Sequence, residues 1–130
     1  MTELINNNFF NLSGKIVVIA GGTGLIGTEL CKAFAEQGSI VIFTSRDEEK
    51  GNKIENEYRE IYSGKIVYFQ LDISDEICID NLIKSVLEKF LKIDVFINCS
   101  WPKTKDWIKN VEEVSYESVC LLYTSPSPRD

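Results

Sequence analysis

The sequence predicts an alternating α/β fold, a doubly wound parallel sheet with helices between its strands. Three observations carry this reading. Short apolar runs of strand length recur between stretches whose apolar residues fall at helical spacing. Glycine or polar turn residues separate one stretch from the next. A glycine-rich loop, Gly22-Thr23-Gly24-Leu25-Ile26-Gly27, stands between the first apolar run and the first helical stretch.

The elements follow in order. Residues 1–13 are polar and Asn-rich and read as a lead-in arm, with Phe9, Phe10 and Leu12 as anchors. Lys15–Ala20 is a continuous apolar run, the pattern of a strand buried on both faces. After the glycine turn, Ile26, Leu30, Ala33 and Phe34 recur at helical spacing, and Gly38 supplies the stop. Ile40–Thr44 is a second buried strand. Asp47 to about Ile61 is a charged helix with Ile54, Tyr58 and Ile61 on one face, ended by Gly64. Ile66–Leu71 is a third strand. Ser74 or Asp75 caps a further helix carrying Ile79, Leu82, Ile83, Val86, Leu87 and Phe90. Asp94–Asn98 is a fourth strand, and Asn110–Val119 opens another helix. The order β-α-β-α-β-α-β implies right-handed crossovers. There are no internal repeats and no linker between domains.

Composition narrows the function classes. The chain has 130 residues, room for one domain and its core, and its 44% apolar and 26% charged content is that of a globular protein. A net charge of −6 argues against a general nucleic-acid-binding surface. No apolar run approaches bilayer-spanning length and Met1–Leu12 has no signal-peptide pattern, so no membrane association and a cytoplasmic location are expected. Histidine is absent, which removes Ser-His-Asp and Cys-His nucleophile systems and His-containing zinc sites. Cys31, Cys78, Cys99 and Cys120 form no C-x-x-C pair, so no metal site is expected and the cysteines read as scattered reduced thiols.

The loop Ala20-Gly21-Gly22-Thr23-Gly24-Leu25-Ile26-Gly27 contains a G-x-G-x-x-G in strand–loop–helix context. One glycine makes a tight turn, a second lets backbone approach a pyrophosphate, and a third allows helix and strand to pack closely. The helix N-terminus then offers free N–H groups and a positive dipole end to phosphate. A P-loop has similar glycine spacing, but Thr28-Glu29 stands where Lys-Ser/Thr is required. The expectation is a dinucleotide-binding, Rossmann-like half-sheet with strand order 3-2-1-4. The second strand ends Thr44-Ser45-Arg46, with a hydroxyl where NAD-binding chains carry an acid and a base following it. This favours NADP, with NAD the alternative; Asp47 next in sequence offsets part of that charge.

With these residues in view, Leu12–Val119 resembles the short-chain dehydrogenase/reductase family. Leu12-Ser13-Gly14-Lys15 looks like the family's entry to its first strand. The family's usual loop is T-G-x-x-x-G-x-G; here Ala20 replaces Thr and Leu25 the middle Gly. Its extended members use T-G-x-x-G-x-x-G, and Gly21, Gly24 and Gly27 fit that spacing. The resemblance implies that Asp72-Ile73 contacts the adenine ring; the alternative is that Asp72 caps the following turn. The family's fourth strand ends N-N-A-G, of which only Asn98 is kept in Asn98-Cys99-Ser100-Trp101. The loop Asn98–Asp106 resembles that of reductases linked to flagellin modification and nonulosonic-acid sugar synthesis, which implies a small-molecule substrate, with a sugar as the candidate class. Trp101 and Trp107 line a substrate pocket or pack against the loop, and Lys103, Lys105 and Lys109 form a small basic cluster or a solvated surface.

The resemblance also implies a catalytic Asn, Ser and Tyr-x-x-x-Lys, and homo-oligomers in the parent protein. No tyrosine here has a lysine at that offset: Tyr58, Tyr62, Tyr68 and Tyr116 are followed there by Tyr62, Ile66, Asp72 and Cys120. Cys120–Asp130 breaks with what precedes it; the helical pattern stops, and two of the three prolines lie there. Its residues match, in order, the translation of a common transposase sequencing adapter read from its second base. The expectation is a partial dinucleotide-binding domain over residues 1–119 and a non-native tail over 120–130. The chain would then be catalytically inactive, marginally stable and prone to aggregate along its fourth strand. Competing readings are an extended-type nucleotide-sugar epimerase or dehydratase, and a non-catalytic dinucleotide sensor.

Overall fold

The computed structural model describes residues 11–101 and 109–123, the last three in backbone only. Residues 100–123 form a unit separate from residues 11–99, and each is described by itself.

In the first unit, β1 (Ile16–Ala20), β2 (Ile40–Ser45), β3 (Ile66–Gln70) and β4 (Val95–Asn98) alternate with α1 (Leu25–Glu36), α2 (Glu48–Ile61) and α3 (Glu76–Phe90). All pairings are parallel and the order is β3-β2-β1-β4, as the sequence predicts. β1 is central and buried along its whole length, which explains its continuous apolar run. Successive side chains alternate between the faces of the sheet. Val17, Ile19, Val41 and Phe43 meet Cys31 and Ala35 of α1, with Ile54 and Tyr58 of α2 packed alongside. Ile16, Val18 and Ile42 meet Leu82 and Val86 of α3 on the other face.

Three helix faces differ from the sequence expectation. In α3, Leu82 and Val86 are buried but Ile83 and Leu87 are exposed. In α1 the buried positions are Gly27, Cys31 and Ala35, and Ile26 is exposed. Gly27 must lie against the glycine loop, and that contact turns Ile26 outward. In α2, Ile54 and Tyr58 pack inward but Ile61 is exposed, because the face is continued by Tyr62 after the helix ends. Gly64 closes this turn in the left-handed region at φ 70°, with Ser63 before it at φ 53°. For α3 the cap is Asp75, whose carboxylate accepts from the N–H groups of Ile77 (2.9 Å) and Cys78 (3.4 Å).

In the second unit, the expected helix is a single 3-10 turn, Val111–Glu113, followed by α4 (Tyr116–Tyr123). Ser115 Oγ accepts from Ser118 N–H at 3.1 Å at the start of α4. The helix runs through Tyr123; Cys-Leu-Leu-Tyr carries ordinary helix propensity.

Candidate dinucleotide site

A parallel sheet brings the carboxyl ends of all its strands to one edge. Here the register sets Ala20 between Thr44 and Asn98, and Ser45 beside Gln70. The glycine loop, Ser45-Arg46, Asp72-Ile73 and Asn98 therefore share that edge. The chain steps from β1 to β2 and β3 on one side, then returns to β4 on the other. Such a switch point is where open α/β sheets leave a crevice for ligands.

The loop's glycines do different jobs. Gly21 turns the chain in the left-handed region at φ 78°. The N–H groups of Gly21 and Gly22 both donate to Thr44 O at 3.0 Å, which ties the loop to β2. A Cβ on Gly22 would lie 2.5 Å from Phe43 Cβ, and one on Gly27 would lie 2.4 Å from Gly21 O. These two are glycine for internal packing. Gly24 is different. Its backbone, at φ −79° and ψ 177°, suits any residue, and a Cβ there would meet only Gly21 O, at 3.8 Å. The fold leaves this position bare on its open side.

Gly24 also precedes the helix without a side-chain cap. The first helical hydrogen bond runs from Thr28 N–H to Gly24 O at 2.9 Å, so the N–H groups of Leu25, Ile26 and Gly27 open α1 without an intrahelical acceptor. Thr23 is half-buried, while Leu25 and Ile26 present apolar side chains to solvent. Bare backbone at Gly24, free N–H groups and a positive helix end fit a pyrophosphate.

At the end of β2, Ser45 is half-buried and Arg46 is exposed. Ser45 Oγ accepts from Asp47 N–H at 3.0 Å. Asp47 caps α2, its carboxylate accepting from Lys50 N–H at 3.0 Å. Beyond β3, Asp72 Oδ1 accepts from Ser74 N–H at 3.0 Å and from Ser74 Oγ at 2.6 Å. These two bonds, with a smaller contribution from Arg46, hold the Asp72 carboxyl below its usual range. Asp72 thus braces the turn into α3, the alternative the sequence left open, and Ile73 beside it is half-buried against the α3 face of the core. Asn98 ends β4, and Cys99 N–H donates to Ala20 O at 2.8 Å.

Sequence reasoning missed Thr44. Its carbonyl carries both loop bonds, and its buried hydroxyl has no partner among the described residues. No residue-type signal marks a backbone acceptor. Burial pushes the Cys31 thiol up to about 12. No group of metal-binding side chains occurs among the described residues, and no helix there is long and apolar enough to cross a membrane. Trp101 is half-exposed and Lys109 exposed; Trp107, Lys103 and Lys105 lie outside the described residues.

Residues 15–120 match the short chain dehydrogenase family, and the chain belongs to it. It is 34% identical over 110 residues to post-translational flagellin modification protein A of Campylobacter coli, covering 84% of this chain and 43% of that protein. It is 34% identical over 86 residues to L-fucose dehydrogenase of Mus musculus, covering 66% of this chain and 30% of that protein. A short chain dehydrogenase structure from Bacillus anthracis str. 'Ames Ancestor' superposes with a TM-score of 0.75 at 27% identity, over 89% of this chain and 45% of that one. The chain therefore spans less than half the length of these relatives.

Proposed function

We propose that the parent protein is an NADP-dependent oxidoreductase and that this chain is its cofactor-binding portion. The observation that carries the NADP reading is the division of labour at the end of β2. Asp47 spends its carboxylate on the α2 cap, so the acid nearest the ribose-reading position is committed elsewhere. Arg46 is exposed beside it and suits a 2′-phosphate. In the same reading, Gly21–Gly27 holds the pyrophosphate, Ser45 and Arg46 the phosphorylated ribose, Asp72 and Ile73 the adenine side, and Asn98 the edge of β4. The bound cofactor supplies hydride. The chain's own residues bind and orient it; none forms the Tyr-x-x-x-Lys pair that would move the substrate proton. Binding without turnover is therefore expected of this chain. A hydroxyl or carbonyl sugar is the substrate class proposed for the parent, supported by the name of the L-fucose dehydrogenase relative. A homo-oligomeric parent belongs to the same reading, on family resemblance alone.

The test is titration of the chain with NADPH and NADH, followed by nucleotide fluorescence. NADPH is expected to bind about tenfold more tightly, the effect of one charge-assisted contact. Arg46→Ala is expected to erase the difference. Tighter NADH binding, or a preference that survives in the variant, overturns the reading.

A further inference from the structure

Gly51 lies inside α2, where glycine costs a helix stability relative to alanine. Its reason is a single neighbour. A Cβ on Gly51 would overlap the Tyr68 ring, 2.2 Å from its nearest carbon. The missing side chain cuts a notch in α2, and the Tyr68 ring from β3 fills it. The other side of that ring rests on Phe43, with centroids 5.3 Å apart. The Tyr68 backbone N–H is held by the Glu55 carboxylate, also from α2.

The ring carries its hydroxyl to the end of β2. Tyr68 Oη donates to Ser45 O at 2.9 Å, and Leu71 N–H donates to the same oxygen at 3.0 Å. One residue on, Gln70 Nε2 donates to Arg46 O at 3.3 Å. With Asp47 N–H on Ser45 Oγ, the backbone of residues 45–47 is held at successive atoms while the Arg46 side chain projects outward. Burial and the nearby Glu48 and Asp47 carboxylates raise the Tyr68 phenol above its ordinary value, so it stays a proton donor across the physiological range.

We propose that Tyr68, seated in the Gly51 notch, is a positioning residue for nucleotide selectivity, holding the Ser45-Arg46 turn through its hydroxyl so that the Arg46 guanidinium is presented to a 2′-phosphate. The inference rests on the NADP reading above. A fixed turn lowers the ordering cost of that contact, and only the 2′-phosphorylated nucleotide benefits.

The experiment compares the chain with Tyr68→Phe, which keeps the ring in its notch, and with Gln70→Ala, an exposed change on β3. Affinities for NADPH and NADH are measured alongside far-UV circular dichroism and Tm. Tyr68→Phe is expected to weaken NADPH about fivefold, the value of one lost hydrogen bond, with NADH nearly unchanged. Gln70→Ala is expected to move the same ratio in the same direction, and carries the test if Tyr68→Phe does not fold. Equal loss for both nucleotides, or none, overturns the positioning role. Arg46→Ala separates the two levels. If it abolishes the NADPH preference while Tyr68→Phe and Gln70→Ala leave it intact, positioning alone fails. If it leaves the preference unchanged, or the chain binds neither nucleotide, the cofactor reading fails and the positioning role with it.

Discussion

At the scale of single residues, glycines in one short loop are distinguishable by what surrounds them. Gly27→Ala forces a Cβ onto the Gly21 carbonyl and should cost about 1–3 kcal/mol, read as a fall in the urea midpoint. Gly24→Ala meets no such obstacle, so Tm should hold while nucleotide affinity falls by at least about tenfold. A matching loss of stability in Gly24→Ala would show that the position is glycine for the fold and not for a ligand. Asp94 supplies a pH prediction. Its Oδ2 accepts from Ile16 N–H at 2.8 Å and pairs with Lys92 Nζ at 3.0 Å, and these contacts hold its carboxyl below the usual range. A lowered carboxyl contributes stability above its unfolded pKa near ~4 and loses it as pH falls through the folded value. Asp94→Asn should therefore lower Tm near about pH 7, with the gap to the native chain closing below ~4. A gap that persists at low pH would assign the loss to packing instead of charge.

At the scale of elements, caps and starts were legible where a side chain does the work. Asp47 and Asp75 are short acids directly before helical stretches, and each accepts from N–H groups of its own first turn. Asp75→Ala should destabilise by about 1 kcal/mol, with the denaturant slope unchanged. A negligible change would mean that α3 is held by Leu82 and Val86 on the sheet and not by its cap. Helix faces were less legible. Ile26 and Ile61 fit the helical period as well as their buried neighbours do, yet both face solvent. Periodicity offers several phases, and contact with a particular loop or turn chooses among them. Gly51 was not singled out in the sequence, because its partner Tyr68 lies in another element.

At the scale of the whole molecule, the two faces of the sheet are covered unequally among the described residues. One carries α1 and α2; the other carries α3. On the α3 side Phe96 is 50% exposed, and Ile83 and Leu87 of α3 are 40% and 42% exposed. Exposed apolar side chains grouped this way favour association. Replacing both Ile83 and Leu87 by Lys should shift the chain toward the monomer in sedimentation velocity. An unchanged distribution would place self-association elsewhere or show that there is none.

The sequence by itself determined the order of strands and helices, the parallel α/β class, the position of the glycine loop and the family. These rest on local patterns: apolar run length, turn residues and glycine spacing, each written within a few consecutive positions. Only the tertiary structure decided which loop glycine has open space around it, that Asp72 braces a turn, and that Thr44, Tyr68 and Gln70 hold the carboxyl edge of the sheet. Those roles depend on backbone atoms and on neighbours distant in the chain. A one-dimensional pattern records which side chains are present but not which carbonyl they reach, and here the carbonyls of Thr44, Ser45 and Arg46 tie the glycine loop and the end of β2 together.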